Sequence, residues 1–265
     1  MKIGVFDSGL GGLVILKSLV KGLPEYDYVY LGDTKRVPYG NRSASVVYEF
    51  LEQAVAYLFK QDCELIIVAC NTASAEALQK IQQKYLPSHY PKRRVLGVII
   101  PTAEEVVKDG GIKRVGVLAT RGTVNSGAYV REIEKLNPRI NVYQQAAPLL
   151  VPLIENDGIK WSQPILREYL KPLLREKVDV IVLGCTHYPI LKREIRKISG
   201  MKVISQDELI PQKLKLYLKR HPEMDKRLSK KREVKLLATD ITKSLQSQSQ
   251  KWFGKKTLLI KVVLN

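Results

Sequence analysis

Two cysteines, Cys70 and Cys185, each follow a run of apolar residues and precede a short polar segment. This pattern predicts that each thiol lies where a buried strand ends and a helix begins, and the N–H groups and dipole of a helix start help to stabilise a thiolate. A thiolate acts as a base, and a second thiol acts as an acid. Two thiols aimed at one cavity would suit the removal of a proton from one face of a carbon atom and its return on the other face.

The apolar runs before the two cysteines resemble each other, which indicates an internal repeat. Residues 66–69 precede Cys70, residues 180–184 precede Cys185, and the N-terminal run 2–6 is echoed at 114–118 with nearly the same offset. Two unrelated stretches that repeat at nearly one offset indicate a duplicated half. A duplicated half with a thiol at each equivalent strand end predicts that the two thiols share one cavity.

Charged neighbours of the cysteines are candidate partners for the thiols. His187 lies two residues after Cys185, and Asp7 could play the mirrored role for Cys70. The alternatives are a structural histidine and, for Asp7, a cap for the helix start that follows it. A free cysteine is usually a small buried hydrophobe. We adopt that interpretation for Cys63, which precedes its strand, whereas the repeated context favours a functional role for the other two.

Hydroxyl and amide side chains near the same strand ends are candidate neutral hydrogen-bond donors. Such donors can hold two carboxylates without a buried arginine, and local capping is the alternative for each Ser or Thr. These candidates are Ser8, Asn71, Thr72, Thr120, Thr123 and Thr186. The glycine-bearing turn 9–12 matches neither the GxGxxG dinucleotide fingerprint nor a P-loop, so we do not predict a nucleotide site there.

Short apolar runs alternate with longer helical patterns along the chain. The predicted strands are 2–6, 27–31, 65–69, 95–99, 114–118, 141–145, 178–183 and 202–205. The predicted helices are 43–61, 74–85, 126–136, 162–176, 189–198 and 211–220. This alternation predicts an α/β fold of mostly parallel sheets flanked by helices. Ligands of such sheets bind beyond the carboxyl ends of the strands, which is where the polar motifs lie.

The repeat predicts two similar lobes related by a pseudo-twofold axis, with the active site between them. We place the first lobe at residues 1–95 and 208–265, and the second at residues 96–207. The length of 265 residues and the hydrophobic content of 45% suit a globular protein of one large or two smaller domains.

Composition also indicates the cellular compartment of the protein and the cofactors that it can bind. No apolar run reaches the roughly 18 residues that span a bilayer, and the N-terminus lacks a signal-peptide pattern, so we expect a cytoplasmic protein without a membrane partner. Three cysteines and three histidines without ligand spacing predict neither a disulfide framework nor a metal site.

The chain carries a formal net charge of +18, which attracts polyanions. Its densest basic stretch, 226–235, contains no aromatic residue to stack on bases, so we interpret it as a solvated helix face. A non-catalytic nucleic-acid-binding protein is the alternative from another class. Nucleic acid therefore stays open as a partner, although it is not the one we expect.

Six motifs resemble, in order along the chain, those of the glutamate racemase family within the aspartate/glutamate racemase superfamily. They are DSGLGG at 7–12, GDTKRVPYG at 32–40, ACNTASA at 69–75, TRGT at 120–123, VPLIE at 151–155 and GCTHYP at 184–189. The resemblance implies interconversion of L- and D-glutamate without a cofactor, by 1,1-proton transfer between two cysteines. It also implies two α/β lobes, a homodimer and a supply of D-glutamate for peptidoglycan.

The resemblance assigns roles to particular residues. Cys70 and Cys185 would transfer the protons, Asp7 would support the first thiol, His187 the second, and Glu155 would assist. The implied substrate contacts are Asp7, Ser8, Pro38, Tyr39, Gly40, Asn71, Thr72, Thr120, Thr123, Thr186 and His187.

Two positions depart from the family pattern. Ala147 precedes Pro148 where the family often has a cysteine, and Thr102 follows Pro101 where it often has a smaller residue. These departures concern lobe packing and regulation more than the thiols. A related two-cysteine racemase that acts on aspartate or another amino acid is the nearest alternative.

Overall fold

A computed structural model describes residues 1–264, and within them ten strands form two parallel sheets. The strands are β1 (Lys2–Asp7), β2 (Tyr28–Gly32), β3 (Cys63–Val68), β4 (Arg94–Gly97), β5 (Arg114–Ala119), β6 (Asn141–Ala146), β7 (Val180–Gly184), β8 (Lys202–Ile204), β9 (Val234–Ala238) and β10 (Ile260–Lys261). All eight strands predicted from the sequence are present, and β9 and β10 were missed.

The two sheets repeat one topology. The first sheet has the order β10-β9-β2-β1-β3-β4 and the second the order β6-β5-β7-β8. The order β2-β1-β3-β4 of the first sheet matches the order β6-β5-β7-β8 of the second. In both sheets these neighbouring strands pair in parallel. The structure therefore confirms the predicted α/β fold with two sheets flanked by helices.

Helices connect and cover the strands. They are α1 (Gly12–Gly22), α2 (Ala44–Lys60), α3 (Asn71–Glu76), α4 (Leu78–Lys80), α5 (Leu86–His89), α6 (Ile99–Lys108), α7 (Arg121–Asn125), α8 (Ala128–Leu136), α9 (Leu150–Glu155), α10 (Ser162–Arg175), α11 (Lys192–Ser199), α12 (Gln206–Arg220), α13 (Pro222–Asp225) and α14 (Lys243–Trp252). Among the helices of residues 1–264, none has the length and apolar character required to cross a bilayer.

Several helix boundaries differ from those predicted. Helices α2 and α10 match within one residue at each end, whereas the predicted helix 126–136 begins two residues later, at Ala128, after Gly127, which has a positive φ of 64°. The helix predicted at 211–220 begins earlier, at Gln206, with Pro211 inside it. The predicted strand 95–99 ends at Gly97, and Ile99 begins α6.

The basic stretch 226–235 is not a helix, so that part of the prediction was wrong. Helix α13 ends at Asp225, and the stretch runs through a turn into β9, with its basic side chains exposed. The Asp27 carboxylate accepts hydrogen bonds of 2.9 Å from the N–H groups of Lys231 and Glu233. These bonds hold the turn in place and bring β9 alongside β2.

The two sheets are built from different parts of the chain. The first sheet combines strands between residues 2 and 97 with the late strands β9 and β10, and the second sheet uses strands between 114 and 204. The lobe boundaries at 95 and 208 stay predictions, and Asn265 lies outside the described residues. Ala147 and Thr102, the two family departures, are both fully buried, and the Thr102 hydroxyl donates to the Val98 carbonyl at 2.6 Å.

Candidate active site

A cavity of about 190 Å³ opens at the carboxyl ends of strands from both sheets. The residues that line it are Ser8, Val37, Pro38, Tyr39, Gly40, Asn41, Cys70, Asn71, Thr72, Thr120, Arg121, Pro148, Val151, Pro152, Glu155, Asn156, Cys185, Thr186 and His187. Cys70 follows β3 of the first sheet, and Cys185 follows β7 of the second. The two thiols therefore enter one cavity from different sheets.

Cys70 caps the start of α3. Its sulphur accepts a hydrogen bond of 3.5 Å from the N–H of Ala73, and its thiol donates to Ser8 Oγ at 3.4 Å. Burial raises the pKa of Cys70 to about 12, and the nearby charge of Asp7 acts in the same direction. A pKa raised in this way favours the thiol, and the thiolate, once formed, is a strong base.

Asp7 lies at the end of β1 and is completely buried. Its carboxylate accepts hydrogen bonds from the N–H of Gly9 at 3.0 Å and from Thr186 Oγ1 at 3.1 Å. Burial raises the pKa of Asp7, while the charge of His187 opposes that rise. Because Thr186 follows β7, this hydrogen bond joins the strand ends of the two sheets.

Cys185 has a different set of neighbours. Its sulphur lies 3.8 Å from His187 Nδ1, and His187 Nε2 lies 2.9 Å from Glu155 Oε1. Burial by itself lowers the pKa of His187, but the hydrogen bonds to Cys185 and Glu155 outweigh it and raise the pKa to about 10. The ring of Trp252 on α14 meets His187 edge-on, with the ring centroids 5.6 Å apart. The raised pKa favours the protonated form of His187, and the contacts with Cys185 and Glu155 orient its ring.

Three hydroxyls meet on another side of the cavity. Thr72 Oγ1 lies 2.9 Å from Thr120 Oγ1, which donates to Thr123 Oγ1 at 3.0 Å. The backbone of Gly40 packs against this group, because a Cβ at Gly40 would lie 3.0 Å from the Thr120 Cβ. Residues from both halves of the chain thus build a polar wall from neutral donors.

The loop before Gly40 is held by a buried carboxylate. Asp33 accepts hydrogen bonds from the Tyr39 hydroxyl, from Arg36 Nε and from Thr239 Oγ1. Thr239 directly follows β9, so the late part of the chain fixes the loop that carries Pro38 and Tyr39 into the cavity.

The structure gathers the residues predicted from the sequence at one place. Of those, all line the cavity except Asp7 and Thr123, which are fully buried behind its wall. Sequence reasoning missed seven lining residues: Val37, Asn41, Arg121, Pro148, Val151, Pro152 and Asn156. Most of these residues adjoin or belong to the six motifs, and this proximity is the sequence signal that could have identified them. Across residues 1–264, His, Cys, Asp and Glu side chains form no group of three that could hold a metal ion.

Comparison with known proteins gives strong matches. The glutamate racemase of Aquifex aeolicus is 41% identical over 222 residues, covering 83% of this chain and 84% of that protein. The crystal structure of the Francisella tularensis glutamate racemase in complex with D-glutamate has a TM-score of 0.89 and 34% identity, covering 100% of this chain and 98% of that one. A Bacillus anthracis glutamate racemase has a TM-score of 0.90 and 31% identity, covering 99% and 97%.

The fold and the similar proteins together define the class of the protein as a racemase, an isomerase. A family model described as Asp/Glu/Hydantoin racemase matches residues 19–209. The chain belongs to this family.

Proposed function

We propose that the protein interconverts L- and D-glutamate by two-cysteine 1,1-proton transfer without a cofactor. The observation that carries the proposal is that Cys70 and Cys185 line one cavity from different sheets. The similarity to glutamate racemases, one of them described in complex with D-glutamate, supports glutamate as the substrate.

In this mechanism one cysteine acts as a thiolate and takes the α-proton, which breaks the Cα–H bond and leaves a carbanion. The other cysteine, as a thiol, delivers its proton to the opposite face of Cα and becomes the thiolate. The proton count of the enzyme is unchanged, and the two sulphurs have exchanged roles. Asp7 supports Cys70, while His187 and Glu155 support Cys185.

Stabilising the carbanion is the difficult part of the reaction, because an α-proton beside a carboxylate is weakly acidic. Hydrogen bonds to the α-carboxylate and exclusion of water lower that barrier. The hydroxyl and amide groups of Ser8, Asn71, Thr72, Thr120 and Thr186, with the loop 38–40, supply these contacts in the proposal. Thr120 and Thr186 donate to Thr123 and Asp7 in the structure, so their hydroxyl protons turn to the substrate when it binds. Thr123 acts from behind, through its bond to Thr120.

The decisive experiment is α-deuteration in heavy water, with L-glutamate and L-aspartate incubated separately and no cofactor added. We expect glutamate to gain α-deuterium and D-glutamate to form, with aspartate exchanging far more slowly. Exchange with aspartate and none with glutamate would show that the substrate is aspartate. Absence of exchange with either amino acid would contradict the proposed proton transfer.

The biological setting is part of the same proposal. We infer a cytoplasmic homodimer, with lobes at residues 1–95 plus 208–265 and at 96–207, that supplies D-glutamate for peptidoglycan. Growth of a D-glutamate-requiring bacterium should be restored by the gene for this protein and not by a Cys70→Ala version. Sedimentation equilibrium measures the dimer directly.

A further inference from the structure

Beside the cavity, three buried polar side chains from distant parts of the sequence form a closed set of hydrogen bonds. They are Asn71 at the start of α3, Tyr129 in α8 and Gln206 at the start of α12, and their exposed fractions are 2%, 0% and 1%. Of the three, Asn71 alone lines the cavity.

The bonds within this set are short and reciprocal. Asn71 Nδ2 donates to Gln206 Oε1 at 2.7 Å, and Gln206 Nε2 donates to Asn71 Oδ1 at 2.7 Å. Gln206 Nε2 also donates to the Tyr129 hydroxyl at 2.8 Å, and that hydroxyl donates to Asn71 Oδ1 at 2.8 Å. Burial raises the pKa of Tyr129, so its hydroxyl keeps the proton that it donates.

One polar group of the Asn71 side chain takes no part in the bonds of this set. The carbonyl oxygen of Asn71 accepts two bonds, which fill both of its lone pairs, and one Nδ2 proton goes to Gln206. Gln206 uses its oxygen and both of its amide protons inside the set. The second Nδ2 proton of Asn71 is the group that remains for a ligand in the cavity.

We propose that Gln206 and Tyr129 are positioning residues, which hold the Asn71 amide so that it offers an N–H, and not its carbonyl oxygen, to the substrate. The two ends of an amide have nearly the same shape, so only its partners decide which end faces the cavity. An N–H attracts a carboxylate, whereas a carbonyl oxygen would attract the substrate ammonium group. The carboxylate as ligand rests on the proposed function.

A double-mutant cycle separates positioning from general stabilisation. Gln206→Met and Tyr129→Phe are each made alone and together with Asn71→Ala, and kcat/KM for L-glutamate is measured. We expect each single change to lower kcat/KM by about 10- to 100-fold, as for loss of a hydrogen bond to a charged group. In the Asn71→Ala background the same changes should cost less than about 3-fold, because they act through Asn71.

Equal losses in both backgrounds, or no loss from either single change, would overturn the inference. Tyr28→Phe is the matched control, because the buried Tyr28 hydroxyl donates to the Leu23 carbonyl at 2.9 Å, away from the cavity. It should lower the thermal unfolding midpoint about as much as Tyr129→Phe does and leave kcat/KM unchanged. Tyr129→Phe is the milder of the two test variants and keeps the cycle informative if Gln206→Met does not fold.

A second measurement does not depend on activity. In protein labelled with ¹⁵N, the side-chain amide of Asn71 should exchange a proton with water much more slowly than the exposed amide of Gln212 on the same helix as Gln206. Tyr129→Phe or Gln206→Met should remove that protection. Equal exchange at Asn71 and Gln212 in the unsubstituted protein would overturn the inference even if racemisation is found. If glutamate is not racemised, the proposed function fails, and the exchange result alone decides whether the amide is held.

Discussion

The two thiols of the cavity have unlike surroundings. Cys70 has a hydroxyl and a buried carboxylate nearby, in Ser8 and Asp7, whereas Cys185 has the histidine–glutamate pair of His187 and Glu155. Burial and the nearby Asp7 carboxylate raise the pKa of Cys70 and so make its thiolate harder to form. The two cysteines are therefore not interchangeable, although the repeat gives them equivalent positions.

Removal of either thiol tests the residues separately. Cys70→Ala and Cys185→Ala should each lower racemisation at least about 10³-fold, because a proton taken from one face has no donor on the other. Each variant should still exchange the α-proton of one enantiomer with retention, since one base remains. Deuteration of L- and D-glutamate, followed by chiral separation, measures both quantities. Full racemisation by both single variants is incompatible with the two-thiol mechanism.

At the scale of elements, helix α1 begins unusually close to the end of β7. A Cβ on Gly11, the residue before α1, would lie 2.5 Å from both Thr186 Oγ1 and His187 Nδ1. These side chains are buried and held by Asp7 and Glu155, so they have little room to retreat. The glycine therefore lets the start of α1 meet the turn that carries Cys185.

Gly11→Ala should displace Thr186 and His187 and lower kcat/KM by about 10²-fold, the scale expected for a shift of about 1 Å at a catalytic group. The free energy of unfolding should fall by about 1–3 kcal/mol. Kinetics and urea unfolding measure the two effects. Gly110→Ala is the matched control, because a Cβ there meets nothing within 4 Å. Wild-type kinetics for Gly11→Ala would show that the contact does not position the turn.

At the scale of the whole molecule, buried groups make stability depend on pH. The pKa of His187 rises from 6.5 to about 10 on folding. Its contribution to the free energy of unfolding is therefore complete below pH 6.5, where the imidazole is protonated in both the folded and the unfolded chain. That contribution is lost as pH increases towards 10. The pKa of Cys70 rises from 9 to about 12, because the folded protein favours the neutral thiol. The free energy of unfolding therefore continues to fall as pH rises from 9 towards 12. Both groups act with the same sign.

The free energy of unfolding should therefore decrease as pH rises between the two pKa values of His187, by up to about 1.4 kcal/mol per pH unit. Urea unfolding at a series of pH values measures the slope. His187→Asn should flatten it, and the exposed His89→Asn should leave it unchanged. If the free energy of unfolding of His187→Asn still decreases with pH at the same rate, other titratable groups cause the pH dependence.

Much of the fold could be predicted because its signals are local. Most of the eight predicted strands are buried apolar runs, although β6 is only partly buried, and helices α2 and α10 carry regular three- and four-residue spacing. Strand β9 was missed because a basic run leads into it, and β10 because only two of its residues pair. The early start of α12 was missed because Pro211 suggested a helix beginning, whereas the chain accommodates it inside the helix.

The sequence by itself determined that two thiols end equivalent strands of a repeated α/β half, since strand burial and chain order are properties of neighbouring residues. The family resemblance pointed to Asp7, His187 and Glu155 as neighbours of those thiols, and only the tertiary structure decided the long-range contacts that hold such side chains in place. Gln206 and Tyr129 reach Asn71, Thr239 reaches Asp33, and Glu155 reaches His187 across long stretches of chain. Such contacts depend on how the sheets and helices pack against one another, and no local pattern of residue types encodes that packing.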